Sequence, residues 1–384
     1  MRYQKIHLEN LPEWFYVQIL DDTKRLNLFN KAINKVGNSG NDLAKKLNIS
    51  FKRLNRWKNA KRYIRFSYFK QIATIAKMDL AELENAEISI KGGTYCRNCL
   101  NLRFPVIIDK NWAHFSQLIN TDGHIAPKRK MIEIANKNKA LLDIIKNFCN
   151  NLDIGNSVYE QPHHGNSFLK ITNKTLTNFF IEFLGCKAGK KFDTIKISEI
   201  ILNSPKEIIA SALRGAFDGD GWVCMSIKRI GIAMGSREYI KQVSQLLINS
   251  FNIKNSTYGP RDNKYTCEIT GIHNIKKFKK EISFDNSYRQ ERLIKIISEL
   301  EESYKTRFHK NCSLYECLKI IRENPNCTSK LISERLNRKR DSIMVSLKKL
   351  REKDKVLFIQ SKEKGKEYKY KINSKGIRFI EGFQ

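Results

Sequence analysis

The stretch Ala212 to Trp222, ALRGAFDGDGW, limits what this chain can fold into more than any other. An apolar helical run with small residues at Ala212, Gly215 and Ala216 ends in Asp218-Gly219-Asp220-Gly221. The negative end of the helix dipole lies at the C-terminus, where carboxylates are disfavoured and cations welcome. Glycines there supply a left-handed cap. Two acids at such an end ask for a metal ion. The small residues let a second helix approach closely, and the chain offers one at Trp112 to His124, WAHFSQLINTDGH, which also ends in Asp-Gly.

Asp122 and Asp220 are 98 residues apart, and the spacing is not isolated. Ile132-Glu133-Ile134-Ala135 meets Ile230-Gly231-Ile232-Ala233 at the same offset, as Ile171-Thr172 meets Ile269-Thr270. Recurrence at one spacing is the mark of an internal repeat. After each motif helix the apolar pattern reads as two strands, a helix, two strands and a helix. In the first repeat Leu141, Leu142, Ile145 and Phe148 mark the middle helix, and in the second Ile240, Val243, Leu246, Leu247 and Phe251 do so.

Phe115 to Gly123 (FSQLINTDG) and Leu213 to Gly221 (LRGAFDGDG) resemble the two signature helices of a LAGLIDADG homing endonuclease, a likeness covering Arg103 to Arg307. The second motif is strong and the first degenerate. Gln117 stands where a close-packing glycine is usual, which predicts looser helix packing, and Asn120 stands where an acid is usual. The resemblance implies an α+β fold with a duplicated αββαββα core and pseudo-two-fold symmetry. It implies that Asp122 and Asp220 bind a divalent cation, Mg²⁺ or Mn²⁺, and that both strands of double-stranded DNA are cut. It further implies a basic residue beside each acid: Lys191, or Lys190, in the first repeat and Arg289 at the matching offset in the second. With both halves in one chain, a monomer acting on a long asymmetric site is expected.

Composition agrees with a polyanionic partner. Lys and Arg number 71 against 39 Asp and Glu, a net charge of +32. The excess is spread through the chain, +8 in residues 1–90, +13 in 91–309 and +11 in 310–384. Basicity along the whole length fits DNA better than one basic tail would. No apolar run reaches about 18 residues, so no membrane span is expected. The N-terminus lacks the apolar core of a signal peptide. The nine scattered cysteines read as reduced thiols of a cytoplasmic protein. Cys96 and Cys99 are only half a zinc site.

The expected divisions are a helical helix-turn-helix domain at 1–90, a linker at 91–110, repeats at 111–205 and 206–309, and a winged-helix domain at 310–384. Leu43, Ala44 and Leu47 give one helical face, Asn48-Ile49-Ser50 a turn, and Leu54 and Trp57 a second helix. This resembles the Cro/repressor type and puts Lys52 and Arg53 at the start of a recognition helix. At the C-terminal end three helices precede strands at 356–360 and 368–372, with Arg338 and Arg340 opening the third helix and Lys362, Lys364 and Lys366 on the wing. In the repeats, one sheet face is expected to be apolar and the other basic. Lys128, Lys130, Gln161, His163, Asn166 and Lys170 would contact DNA from the first, and Lys228, Arg229, Arg261, Asn263 and Lys264 from the second. The competing expectation is a transcriptional regulator, like the sporulation regulators that join this fold to a helix-turn-helix, which binds DNA without cutting it. A maturase acting on intron RNA would leave no distinguishing mark.

Overall fold

The computed structural model describes residues 4–94, 96–128, 131–163, 166–305, 312–353, 356–359 and 368–381. Lys130, Lys362, Lys364 and Lys366, and the side chains of His163 and Asn166, lie outside the described residues. The chain divides into two compact units, Met1–Ile297 and Ser298–Gln384.

The first unit opens with strand β1 (Tyr16–Ile19), helices α1 (Asp22–Val36), α2 (Gly40–Lys46) and α3 (Phe51–Lys58), strand β2 (Ile64–Arg65) and helix α4 (Phe66–Ala76). Strands β3 (Glu87–Lys91) and β4 (Leu100–Arg103) follow. The helix pair falls where the apolar spacing put it. Leu43, Ala44, Leu47, Leu54 and Trp57 are buried, Asn48 takes the left-handed conformation, and Ser50 caps α3 by accepting the amide of Arg53.

The helical segment also carries strands that the apolar spacing does not predict. Four antiparallel strands form a sheet in the order β2-β1-β3-β4, and β4 lies inside the stretch read as a linker. Ile88 and Ile90, in register with Leu102 and Leu100, are buried on one side and give this hairpin an apolar face. That face joins one continuous core with the helices of the first repeat.

The first repeat is α5 (Lys110–Thr121), β5 (Gly123–Ile125), β6 (Ile132–Asn136), α6 (Lys139–Asn151), β7 (Val158–His163), β8 (Asn166–Ile171) and α7 (Lys174–Leu184). The second is α8 (Lys206–Asp220), β9 (Gly221–Cys224), β10 (Arg229–Met234), α9 (Arg237–Phe251), β11 (Asn255–Arg261), β12 (Lys264–Ile269) and α10 (Ile272–Glu281), followed by α11 (Ser287–Lys305). The sheets have matching antiparallel orders, β5-β6-β8-β7 and β9-β10-β12-β11. Ile132, Ile134, Leu169 and Ile171 face the first core, and Ile230, Ile232, Cys267 and Ile269 the second. In the open face of the second sheet Gly231 pairs with Trp222, whose indole covers it: a Cβ there would come within 2.3 Å of the ring.

The second unit holds helices α12 (Cys312–Glu323), α13 (Ser329–Arg335) and α14 (Arg340–Glu352), with strands β13 (Cys327–Thr328), β14 (Val356–Ile359) and β15 (Lys369–Ile372) in the order β13-β15-β14. A last helix, α15 (Ser374–Glu381), follows β15. Leu318, Ile321, Ile332, Ile343, Leu347 and Leu350 form its separate core.

Candidate metal centre

Two nearly fully buried helices position the acids. Asp109 starts α5 by accepting the amides of Asn111 and Trp112 at 2.9 and 3.1 Å. From Trp112 to Thr121 every residue of α5 is buried, as is nearly all of α8 from Ile208 to Gly219. A helix buried all round belongs to a core, and here the two cores meet. The glycines of α8 make this approach physical. A Cβ on Gly215 would lie 2.2 Å from the His114 carbonyl oxygen, and one on Gly219 would lie 1.9 Å from Thr121 Oγ1. Gln117, expected to loosen the contact, is fully buried and satisfied. Its amide oxygen accepts the Tyr239 hydroxyl at 3.0 Å, a bond that ties α5 to the second repeat.

Asp122 follows the last turn of α5 and Asp220 closes α8, both half-buried. Burial, together with the charge of Asp220, pushes the Asp122 carboxyl up to about 6, while Asn136 Nδ2 donates to it at 2.7 Å. Burial raises Asp220 as well, against the pull of Lys191, Lys264 and Arg289. The Asp122 carboxyl thus feels the Asp220 charge in a partly buried, low-dielectric setting, where a like charge disfavours ionisation.

Lys191 and Arg289 are brought to the same centre, in equivalent roles. The Lys191 ammonium donates to the carbonyls of Ile119 (2.6 Å), Thr121 (3.0 Å) and Gly123. The Arg289 guanidinium donates to those of Phe217 (3.2 Å), Asp218 and Gly219 (2.7 Å). Each cation thus caps the C-terminal end of a motif helix, where orphan carbonyls and the helix dipole favour positive charge. Lys190 is exposed and takes no such place. Burial pulls Lys191 down to about 8.

The sequence did not reveal the network beside Asp220. Asp218 is fully buried, and its oxygens accept the amides of Asp285 and Asn286 at 3.0 Å, with His114 Nε2 at 3.3 Å. His114 also lies 3.6 Å from Asp285, which pairs with Arg214 at 3.5 Å. His114, Asp218 and Asp285 could converge on an ion, yet the Asp218 oxygens are already engaged by backbone amides. The network instead fixes the segment leading into Arg289. At the matching position Asn120 is fully buried, and neither its side-chain nitrogen nor its oxygen has a partner. The unequal pair Asn120 and Asp218 was the available signal. Nothing in periodicity pointed to Asp285 or Asn136.

The expected nucleic-acid contacts lie on several surfaces. Lys170 sits on the open face of the first sheet, in register with Glu133 and Tyr159, and its ammonium lies 5.2 Å from the Phe168 ring. Lys128 is exposed before β6. Lys228 takes a left-handed turn conformation before β10. Arg229 is held by Glu268 at 2.9 Å, which blunts its charge. Arg261 and Lys264 are exposed across the β11–β12 turn, Arg261 lying 5.3 Å from the Tyr258 ring. Lys52 and Arg53 are exposed on α3. In the second unit, Arg338 precedes α14 and Arg340 opens it, bonded to Ser329 Oγ at 3.0 Å.

The donor set fits a hard divalent cation. Lys191 and Arg289 are spent on carbonyls, leaving two carboxylates to offer oxygen. Mg²⁺ and Mn²⁺ prefer such ligands.

Residues 110–185 and 207–283 match the family described as the LAGLIDADG-like domain. The two matched stretches are the two repeats, and this core of the chain belongs to the LAGLIDADG family. Among curated proteins, the chain is similar to the probable translation initiation factor IF-2 of Methanocaldococcus jannaschii, 30% identical over 184 residues, which cover 46% of this chain and 16% of that protein. It is similar also to the DNA-directed RNA polymerase subunit Rpo1C of the same organism, 27% identical over 202 residues, covering 51% of this chain and 22% of that one. The chain thus spans only about a fifth of these relatives' length. Solved structures with a likeness include I-DmoI in complex with DNA and Mn, at 16% identity and a TM-score of 0.36, covering 46% of this chain and 97% of that one. Full-length DUF199/WhiA from Thermatoga maritima matches at 14% identity and a TM-score of 0.37, covering 65% and 92%. Among the described residues no helix is long and apolar enough to cross a membrane.

Proposed function

We propose that this chain is a site-specific DNA endonuclease that hydrolyses both strands of a long asymmetric site. The observation that carries the reading is the pair Asp122 and Asp220, at the ends of the two helices joined by the α5–α8 contact, although burial opposes the ionisation of both and the charge of Asp220 opposes that of Asp122. A protein that only bound DNA would gain nothing from buried acid facing phosphates. The names of the relatives add support. An initiation factor, a polymerase subunit, an aminotransferase and a replication factor subunit share no activity, yet each contains a segment like this chain. A segment carried by unrelated proteins fits an element that inserts by cutting DNA.

Asp122 and Asp220 would hold the divalent cations, Mg²⁺ or Mn²⁺. The metal would activate a water and stabilise charge on the scissile phosphate and leaving oxygen. Asn136 orients Asp122 by donating to it, and Lys191 and Arg289 fix the helix ends from which the acids project. The two cations also add positive charge beside the phosphate's path. The open sheet faces carrying Lys170 and Lys264, with Lys228 in the turn before β10, would lie along the duplex, while the N-terminal part that holds α2–α3 and the second unit, as a winged helix, would engage flanking DNA.

The experiment is selection of cleaved sites from a randomised duplex library. One long site cut in Mg²⁺, and bound without cutting in Ca²⁺, is the expected result, since Ca²⁺ accepts looser coordination than Mg²⁺ demands. Tight sequence-specific binding with no cleavage in Mg²⁺ or Mn²⁺ would make the protein a regulator instead.

A further inference from the structure

A cavity of about 770 Å³ opens between α3 and the adjoining sheet. Six of its lining side chains are cationic: Lys52, Arg53, Arg56, Lys61, Arg62 and Lys91. No carboxylate lines it among the described residues. Crowding six like charges in a concave site raises the local potential and draws anions from solution.

Several neutral groups around the cavity are already engaged. Gln18 Nε2 donates to the Ala60 carbonyl at 2.7 Å, the Tyr16 hydroxyl bonds Thr94 Oγ1 at 2.8 Å, and the Tyr63 hydroxyl bonds Ser89 Oγ at 2.7 Å. On the neighbouring surface of α3, Asn59 donates to Asn55 at 2.9 Å. These are the amides and hydroxyls that could otherwise read base edges. Two of the three aromatic rings lining the cavity, Trp57 and Tyr63, are taken too. The Arg53 guanidinium lies 4.9 Å from the Trp57 ring and 5.2 Å from that of Tyr68, and the Lys91 ammonium lies 4.1 Å from the Tyr63 ring. Bases therefore find little to stack on, while cations preset by ring contacts await an anion.

We propose that this cavity seats consecutive phosphates of the DNA backbone, so that the N-terminal part of the chain is a sequence-independent clamp and not the reader of bases that its helix pair predicts. The inference rests on the proposed binding of DNA but not on cleavage. The clamp is tied to the cutting core. Between Lys91 and Gly93, both on the cavity wall, the Gly92 amide donates to Thr175 Oγ1 at 3.0 Å and the Gly92 carbonyl accepts Asn178 Nδ2 at 2.8 Å, both residues belonging to α7. Phosphates gripped there belong to the duplex whose other end lies on the repeats.

The test measures binding of the full-length chain in Ca²⁺ to a site selected by binding in Ca²⁺ and to a scrambled duplex, by fluorescence anisotropy across KCl concentrations. In Arg56→Gln/Arg62→Gln, affinity is expected to fall by the same factor, about tenfold or more, for both duplexes. The salt slope should fall by about 2, near 0.9 for each lost phosphate contact. The ratio of the two affinities stays unchanged. Arg56→Lys/Arg62→Lys should keep the slope, and Lys52→Gln/Lys61→Gln repeats the measurement if the arginine pair fails to fold. A falling affinity ratio would make the cavity a base reader and overturn the proposal, as would an unchanged slope. A chain that binds without cutting but shows the slope loss keeps the clamp and loses the nuclease; one that cuts but shows no slope change does the reverse.

Discussion

Asp122 is ionised at a cost. Its carboxyl is raised to about 6 from an ordinary 3.8, so the folded state favours the protonated form. The sign follows: the folded protein loses stability as pH rises from about 4 through 6, by up to about 3 kcal/mol. Asp122→Asn cannot ionise. Without metal, its thermal stability should match or trail the wild type at pH 4 and gain on it steadily up to pH 6, with the difference level beyond; a pH-independent difference would deny the penalty. Metal affinity should rise over the same window, because the ligand must be deprotonated. Asp218 differs, being a positioning residue. Asp218→Asn removes an acceptor from the Asp285 and Asn286 amides. We expect cleavage to fall more than tenfold with affinity for the site changed less than threefold, and Asp218→Glu to recover part of the rate. Equal losses of rate and affinity would make the role merely structural. Of these residues, Asp122 and Asp220 were legible because an acid at a helix C-terminus violates local electrostatics. His114, Asp285 and Asn136 were not, since their partners lie across the fold.

At the scale of elements, the α5–α8 contact decides whether the acids meet. Gly219→Ala places a methyl within 1.9 Å of Thr121 Oγ1 and 2.6 Å of its Cβ, so overpacking should cost about 1–3 kcal/mol. Thr121→Gly removes both atoms, so the double variant should be more stable than the sum of the single effects; additivity in a double-mutant cycle by chemical denaturation would place the strain elsewhere. Gly215→Ala meets the backbone carbonyl of His114, which no side-chain change relieves. The repeats could be read because one offset aligned motif and strand together. The N-terminal sheet escaped because its strands are 2 to 5 residues long and β1 pairs with β3 across the whole helical segment, beyond the reach of local periodicity. The second unit's helices were legible from spacing, as were its strands β14 and β15, while the short strand β13 and the last helix were not.

At the scale of the whole molecule, the two halves are equivalent in topology and unequal in chemistry. Lys191 and Arg289 cap corresponding helix ends, but the lysine is pulled down to about 8 whereas an arginine stays protonated through the working range. The strands should therefore be cut at different rates, with nicked circles accumulating early from a supercoiled plasmid and more of them as pH rises from 7 to 9. Linear product without a nicked intermediate at any pH would count against this inequality. The central claim, that Asp122 and Asp220 form a cleavage centre, is tested most directly on an end-labelled duplex of the selected site in Mg²⁺. The wild type should cut both strands, while Asp220→Asn binds at least as tightly, having lost a negative charge beside phosphates, and cuts at least about a thousandfold more slowly, as expected when an essential catalytic electrostatic contact is removed. Specific binding by the wild type with no cleavage in Mg²⁺ or Mn²⁺, or an Asp220→Asn protein that cuts at the wild-type rate, would contradict it.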